Sequence, residues 1–131
     1  AVSLADPQQL LKDQDWPLLQ AKFRDLANAD YLLFEGSQVT AVQPKLGTLP
    51  NPEDSCTLII HVQSLTQGDL RLRLSGPGVN GTTDVAIDGL HHDWITQRAD
   101  WVCAFPLGVD IILVDRDAVM ALPRTTRVEV M

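Results

Sequence analysis

Only two cysteines, Cys56 and Cys103, occur in the 131 residues. They form no Cys-x-x-Cys pair and are too few for a disulfide scaffold, so a reduced, cytoplasmic chain is expected. Lysine is nearly as scarce. Lys12, Lys22 and Lys45 all lie in the first third, in contexts that read as exposed helix or loop. None reads as the desolvated lysine that a Schiff base needs, which argues against a pyridoxal-phosphate enzyme. Bases are also short overall: 10 Lys and Arg stand against 17 Asp and Glu, a formal charge of −7. Nucleic acid is therefore excluded as the main partner, because phosphate contacts need a basic footprint. No apolar run approaches the roughly 20 residues that span a bilayer. No charged-then-apolar signal segment opens the chain. It begins on Ala1 rather than Met, so a fragment or a processed form is expected.

What remains is a globular composition, 45 % apolar and 21 % charged, of a size that suits a single domain over residues 1–131. The first third reads helical. Asp6 before Pro7, and Asp15-Trp16 before Pro17, resemble N-caps followed by proline in the first turn. From Pro17 onward Leu18, Leu19, Phe23 and Leu26 recur at helical spacing, with Lys22, Arg24 and Asp25 on the other side. Tyr31 to Phe34 reads as a short strand. Residues 43–55 hold three prolines and a glycine and read as a surface loop.

The second half is strand-rich. Residues 57–65 are apolar and β-branched. Leu70-Arg71-Leu72-Arg73-Leu74-Ser75 alternates strictly, placing leucines on one side and arginines on the other. Thr66-Gln67-Gly68-Asp69 between the two runs predicts a hairpin. A short strand is expected over residues 84–88 and a helix over 89–101, with Leu90, Trp94 and Ile95 on one face. The continuous apolar run 109–114 reads as a central buried strand. Residues 118–122 are expected to pair with it, and 127–131 to close the chain as a strand. Helices preceding and interrupting strands give an α/β fold with a mixed β-sheet flanked by helices.

Several motifs invite chemistry. Gly76-Pro77-Gly78-Val79-Asn80-Gly81 matches the G-x-G-x-x-G pattern after a strand. A phosphate cradle needs free amides and a helix directly behind. Pro77 has no amide hydrogen and the following residues are strand-like, so a turn between strands is expected. His61, His91 and His92 with Cys56 and Cys103 lack zinc-ligand spacing, and adjacent histidines are expected on different helix faces, so no metal is expected. Six of the seven arginines lie beyond residue 70, and arginine suits bidentate recognition of carboxylates and phosphates. A solvated face that balances the acids is the leading expectation for them.

Two segments stand out. Phe105-Pro106-Leu107-Gly108-Val109-Asp110 places an aspartate at the start of an apolar run, where a carboxylate is costly unless paired. Leu122-Pro123-Arg124-Thr125-Thr126 bends after a proline that stops strand pairing, which would let Arg124, Thr125 and Thr126 face a common space. Arg124, Thr125, Thr126 and Asp110 are thus candidates for an anion site or a subunit interface. A buried Arg124–Asp110 pair is the competing expectation. No catalytic residue is assigned.

These two segments, with residues 56–65 (CTLIIHVQSL), 72–79 (LRLSGPGV) and the closing RVEV, resemble the PhnH family, the H subunit of the bacterial carbon–phosphorus lyase system. The motifs come in the family's order and at its approximate spacing. The resemblance implies a three-layer α/β fold similar to pyridoxal-phosphate transferases but without that cofactor. It also implies homodimers that join a larger complex with other carbon–phosphorus lyase subunits. The activity implied is a share in making alpha-D-ribose 1-methylphosphonate 5-triphosphate from ATP and methylphosphonate. A stand-alone anion- or nucleotide-binding transferase, and a purely structural docking subunit, are the alternatives. The family carries a further N-terminal segment that this chain is expected to lack. No catalytic residue, metal or cofactor comes with the resemblance.

Overall fold

The computed structural model describes residues 3–10, 22–23 and 27–131. Nine strands and one helix lie among them. In chain order these are β1 (Ser3–Ala5), β2 (Lys22–Phe23), β3 (Tyr31–Glu35), β4 (Thr57–His61), β5 (Leu70–Ser75), β6 (Thr82–Ile87), α1 (His92–Val102), β7 (Asp110–Val114), β8 (Val119–Leu122) and β9 (Arg127–Val130). They form a mixed six-stranded sheet in the order β2-β1-β3-β4-β7-β8, and a three-stranded sheet in the order β6-β5-β9. The first is parallel except for β8, and the second is antiparallel. An α/β fold with a mixed sheet is therefore what the chain adopts.

Strand register explains the core. Leu32, Leu58, Ile111 and Leu122 are successive partners across four strands, and each is at most 2 % exposed. Phe34, Ile60 and Leu113 form the next row. Leu72, Leu74 and Ile87 of the smaller sheet and Trp94, Ile95 and Trp101 of α1 close over the same cluster. The alternation in β5 is as expected, with Leu72 and Leu74 buried and Arg71 and Arg73 exposed. The glycine-rich segment after it is a turn into antiparallel β6, so a strand and not a helix follows directly behind it.

The expected hairpin over residues 57–75 does not form. Strand β4 pairs with β3 and β7, while β5 lies in the other sheet. The connecting turn packs against the end of β6 instead. Ser64 bridges Asp88, and a Cβ on Gly68 would stand 2.1 Å from the Ile87 carbonyl carbon. That contact turns the chain out of the large sheet.

The helix also begins later than expected. Gly89 has φ +82° and packs against Gln63, so it cannot open a helix. His91 caps α1 instead, its side chain accepting from the Asp93 amide at 3.1 Å. Asp93 then lies in the first turn, where the helix dipole favours a negative charge.

Near the N-terminus, Asp6 caps a turn by accepting from the Leu10 amide at 2.8 Å. The helix expected from Pro17 lies outside the described residues except at Lys22–Phe23, which pair as a strand with Ser3 and Leu4. The Asp15-Trp16-Pro17 cap falls outside them too. The β7–β8 hairpin forms as expected. Asp115 supports it by accepting from the amides of Asp117 and Ala118 at 2.8 and 2.7 Å.

Candidate functional site

The apolar run before β8 carries one carboxylate, and its partner comes from the segment that follows β8. Asp110 opens β7, and its Oδ1 accepts from the Arg124 backbone amide at 2.8 Å. The Arg124 guanidinium then folds back over it, with Nε on Oδ1 at 3.3 Å and an Nη on Oδ2 at 3.2 Å. The remaining donors reach the carbonyls of Pro52 and Pro106 at 3.1 and 3.2 Å, and the Ser55 hydroxyl. A guanidinium has five N–H donors, and all five are used here. The Arg124 side chain is only 14 % exposed, against 41 % for Asp110. Partial burial pushes the Asp110 carboxyl up, but the hydrogen bonds from Arg124 outweigh it and hold the group below the usual carboxylate range.

The proline-rich loop, the bend after α1 and the bend after β8 are thus tied at one point. Gly108 makes the approach possible, since a Cβ there would meet the Arg124 Cβ at 3.3 Å. The other expected members separate. Thr125 is exposed, whereas Thr126 is buried at 6 %, so Thr126 does not share the cleft that Arg124 and Thr125 both line.

Behind this bend stands a residue that the sequence reading passed over. Arg98 of α1 is 3 % exposed. One Nη donates to the Pro123 and Thr126 carbonyls at 2.9 and 2.8 Å, while its Nε is buried without a partner. Burial depresses its pKa. The signal was available: Arg98 falls at helical spacing with Trp94, Ile95 and Trp101, the buried face of α1.

Two clefts flank Arg124. The first, about 580 Å³, opens at the start of β3, β4 and β7, where Tyr31, Thr57 and Asp110 are aligned by register. It is acidic, with Asp30, Glu53 and Asp110 on its walls. Asp30 is held to a pKa of about 2, chiefly by its hydrogen bond from Lys45. The second cleft, about 550 Å³, lies between the glycine-rich turn and the residue 124–127 segment. None of its lining residues is acidic.

The histidines sit elsewhere. His61 pairs with Glu35 at 2.8 Å. His91 and His92 stack, with centroids 4.5 Å apart, rather than pointing to different faces, because His91 caps the helix and is not part of its first turn. With Asp93 they are the one group among the described residues whose ligand atoms come together in the manner of a metal site, and all three are exposed.

The two thiols differ sharply. Burial raises the Cys56 thiol to about 12, while Cys103 is exposed. Native protein is therefore expected to take up one equivalent of maleimide, at Cys103. The second should enter only on unfolding, since the thiolate is the nucleophile. Mass spectrometry of labelled peptides checks this, and rapid labelling of both would contradict the burial of Cys56.

Fold and site together define an α/β protein with a mixed sheet whose two late motifs are locked by an arginine–aspartate clamp. The chain matches the model of the bacterial phosphonate metabolism protein PhnH family over residues 2–129, and it belongs to that family. It is 37 % identical over 128 residues to the putative C-P lyase subunit protein HtxG of Stutzerimonas stutzeri, covering 98 % of this chain and 65 % of that protein. It is 38 % identical over 84 residues to the alpha-D-ribose 1-methylphosphonate 5-triphosphate synthase subunit PhnH of Rhizobium meliloti (strain 1021), covering 64 % of this chain and 42 % of that protein. The chain thus spans less than two thirds of the length of these curated relatives.

Proposed function

We propose that the chain serves as a subunit of the carbon–phosphorus lyase system in organic phosphonate catabolism. In this reading it works with partner subunits to make alpha-D-ribose 1-methylphosphonate 5-triphosphate from ATP and methylphosphonate. The observation that carries the reading is the family match over residues 2–129. The site agrees with a non-catalytic or co-catalytic role, because the donors of Arg124 are spent on its own chain. Arg124 and Asp110 then act as scaffold for the bend that Thr125 and Thr126 follow. The chain forms a single domain, with the three-layer arrangement of the pyridoxal-phosphate transferases but no such cofactor.

Assembly is part of the proposal. On one face of the central strands Leu32, Phe34, Leu58, Ile60, Ile111 and Leu113 are buried, while Leu33, Ile59 and Ile112, aligned by register on the other, are half-buried. Parallel strands are normally covered on both faces, which supports a homodimer that joins the hetero-complex. Two free thiols support a cytoplasmic setting, and no helix among the described residues is long and apolar enough to cross a membrane.

The test is co-expression with the other subunits. The chain should co-purify with them, release no adenine from ATP and methylphosphonate alone, and sustain release in their company. Light scattering of the chain alone should give a dimer. Adenine release by the isolated chain would replace this reading with a stand-alone transferase, and a well-behaved monomer at micromolar concentration would remove the homodimer.

A further inference from the structure

The charge balance around the second cleft runs against that of the chain. The protein carries −7 overall, yet this cleft has two arginines, Arg124 and Arg127, and no carboxylate on its walls. Arg124 is balanced by Asp110. Arg127 is exposed at the start of β9, where its backbone pairs with Ser75, and its guanidinium makes no hydrogen bond or ion pair with a described residue. Arg73, on neighbouring β5, is equally exposed but is occupied by Asp84 at 2.9 Å. Arg127 is therefore a cation held at a concave surface with its donors unspent. Arg98 adds a second positive charge behind the wall, through its bonds to the Pro123 and Thr126 carbonyls.

The rest of the cleft is suited to an anion with an organic body. Thr125 and Ser75 line it with Arg127, and Ser75 is the register partner of Arg127 on the neighbouring strand. Phe105 stands on the rim, 67 % exposed, and offers an aromatic surface to whatever enters the cleft. The walls are fixed by a close approach: Gly76 has φ +117°, and a Cβ there would meet the Thr125 carbonyl oxygen at 3.0 Å. The cleft volume is in the range of small-molecule sites.

We propose that this cleft binds a small organic oxyanion. The charged head sits on Arg127 with the Thr125 and Ser75 hydroxyls, and the apolar body lies on Phe105. A planar guanidinium presents parallel donors to two oxygens of a phosphoryl or carboxyl group. The aromatic rim then selects against inorganic ions, because only an organic ligand removes the Phe105 surface from water. The acidic cleft on the other side of Arg124 repels the same ligand. This assignment stands apart from the subunit reading, whose test is co-purification.

The test titrates the isotopically labelled full chain with inorganic phosphate and with phenyl phosphate, at fixed ionic strength, and follows backbone amide shifts. Both probes should move the amides of Gly76, Thr125 and Arg127, and phenyl phosphate should bind several-fold more tightly. Arg127→Ala should weaken both by about tenfold, the value of a charge-assisted hydrogen bond, with its melting curve unchanged. Arg73→Ala should leave binding as it was. Phe105→Ala should remove the advantage of phenyl phosphate alone. Equal losses in Arg127→Ala and Arg73→Ala would show general charge attraction and overturn the site. So would the absence of shifts at millimolar probe, or shifts confined to other parts of the surface. Equal affinity for the two probes would overturn the role of Phe105.

Discussion

Arg124→Ala is expected to lower the stability of the chain by about 2–3 kcal/mol, near the lower end of what breaking a buried ion pair costs. Five guanidinium hydrogen bonds disappear at once, and they tie three separate stretches of chain. Asp110 keeps its bond from the residue 124 amide but loses its counter-charge. Its side chain is 41 % exposed, so water relieves part of the penalty, which keeps the estimate below that for a fully buried pair. For a domain of this size the change corresponds to a fall in Tm of roughly 6–12 °C. Arg124→Lys should recover less than half, since an ammonium cannot span Asp110, Ser55 and two carbonyls together. Thermal melting checks both variants. An alanine variant that melts with the wild type yet abolishes growth on methylphosphonate would return Arg124 from scaffold to ligand binding.

The outcome bears on what could be read from the residues. The pairing of Asp110 and Arg124 was legible as one of two alternatives, because a carboxylate at the head of an apolar run demands a partner. Which alternative holds depends on Ser55, Pro52 and Pro106, contacts that link residues up to 72 positions apart. No local pattern announces them. Strand β5 was legible from its period-two alternation, and β7–β8 from the turn at Asp115. The false hairpin shows the opposite case. Residues 66–69 have turn chemistry, but whether the flanking strands pair is decided by the packing of Gly68 on Ile87, which lies far along the chain.

The run 109–114 misled in a subtler way. Its composition suggested burial on both faces, yet Ile111 and Leu113 are buried while Asp110, Ile112 and Val114 are only half-covered. That half-open face is what lets a carboxylate begin the strand. Arg98 departs from the solvated face expected of the late arginines, whereas Arg127 keeps to it. A charged residue on a helix is usually solvated, but Arg98 falls on the stripe of Trp94 and Trp101 and finds two carbonyls there. Arg127 sits on an edge strand, where no described residue takes up its side-chain donors.

The largest loss of stability is expected from Trp94→Ala, about 4 kcal/mol, in the range for removing a buried aromatic side chain. Trp94 is 1 % exposed and packs against Phe34 with ring centroids 4.9 Å apart and planes tilted by 49°. Its indole nitrogen donates to the Gly36 carbonyl at 3.1 Å. This side chain fastens α1 to the large sheet, and four residues on along the same helix Arg98 holds the bend that leads into the smaller sheet. Emptying the Trp94 site therefore loosens both attachments, whereas a cavity within either sheet loosens one. Trp94→Phe separates packing from hydrogen bonding. The ring contact with Phe34 survives, and the Gly36 carbonyl keeps its bond from the His91 amide at 2.8 Å, so no acceptor is stranded and the cost should stay near 1–2 kcal/mol. Urea unfolding of both variants supplies the measurement. An alanine variant within about 1 kcal/mol of the wild type would show that α1 is held elsewhere, and the second cleft should then keep its oxyanion affinity. If the helix is pinned as described, that affinity should fall in the alanine variant and survive in the phenylalanine one, because the cleft wall stands on the carbonyls that Arg98 holds.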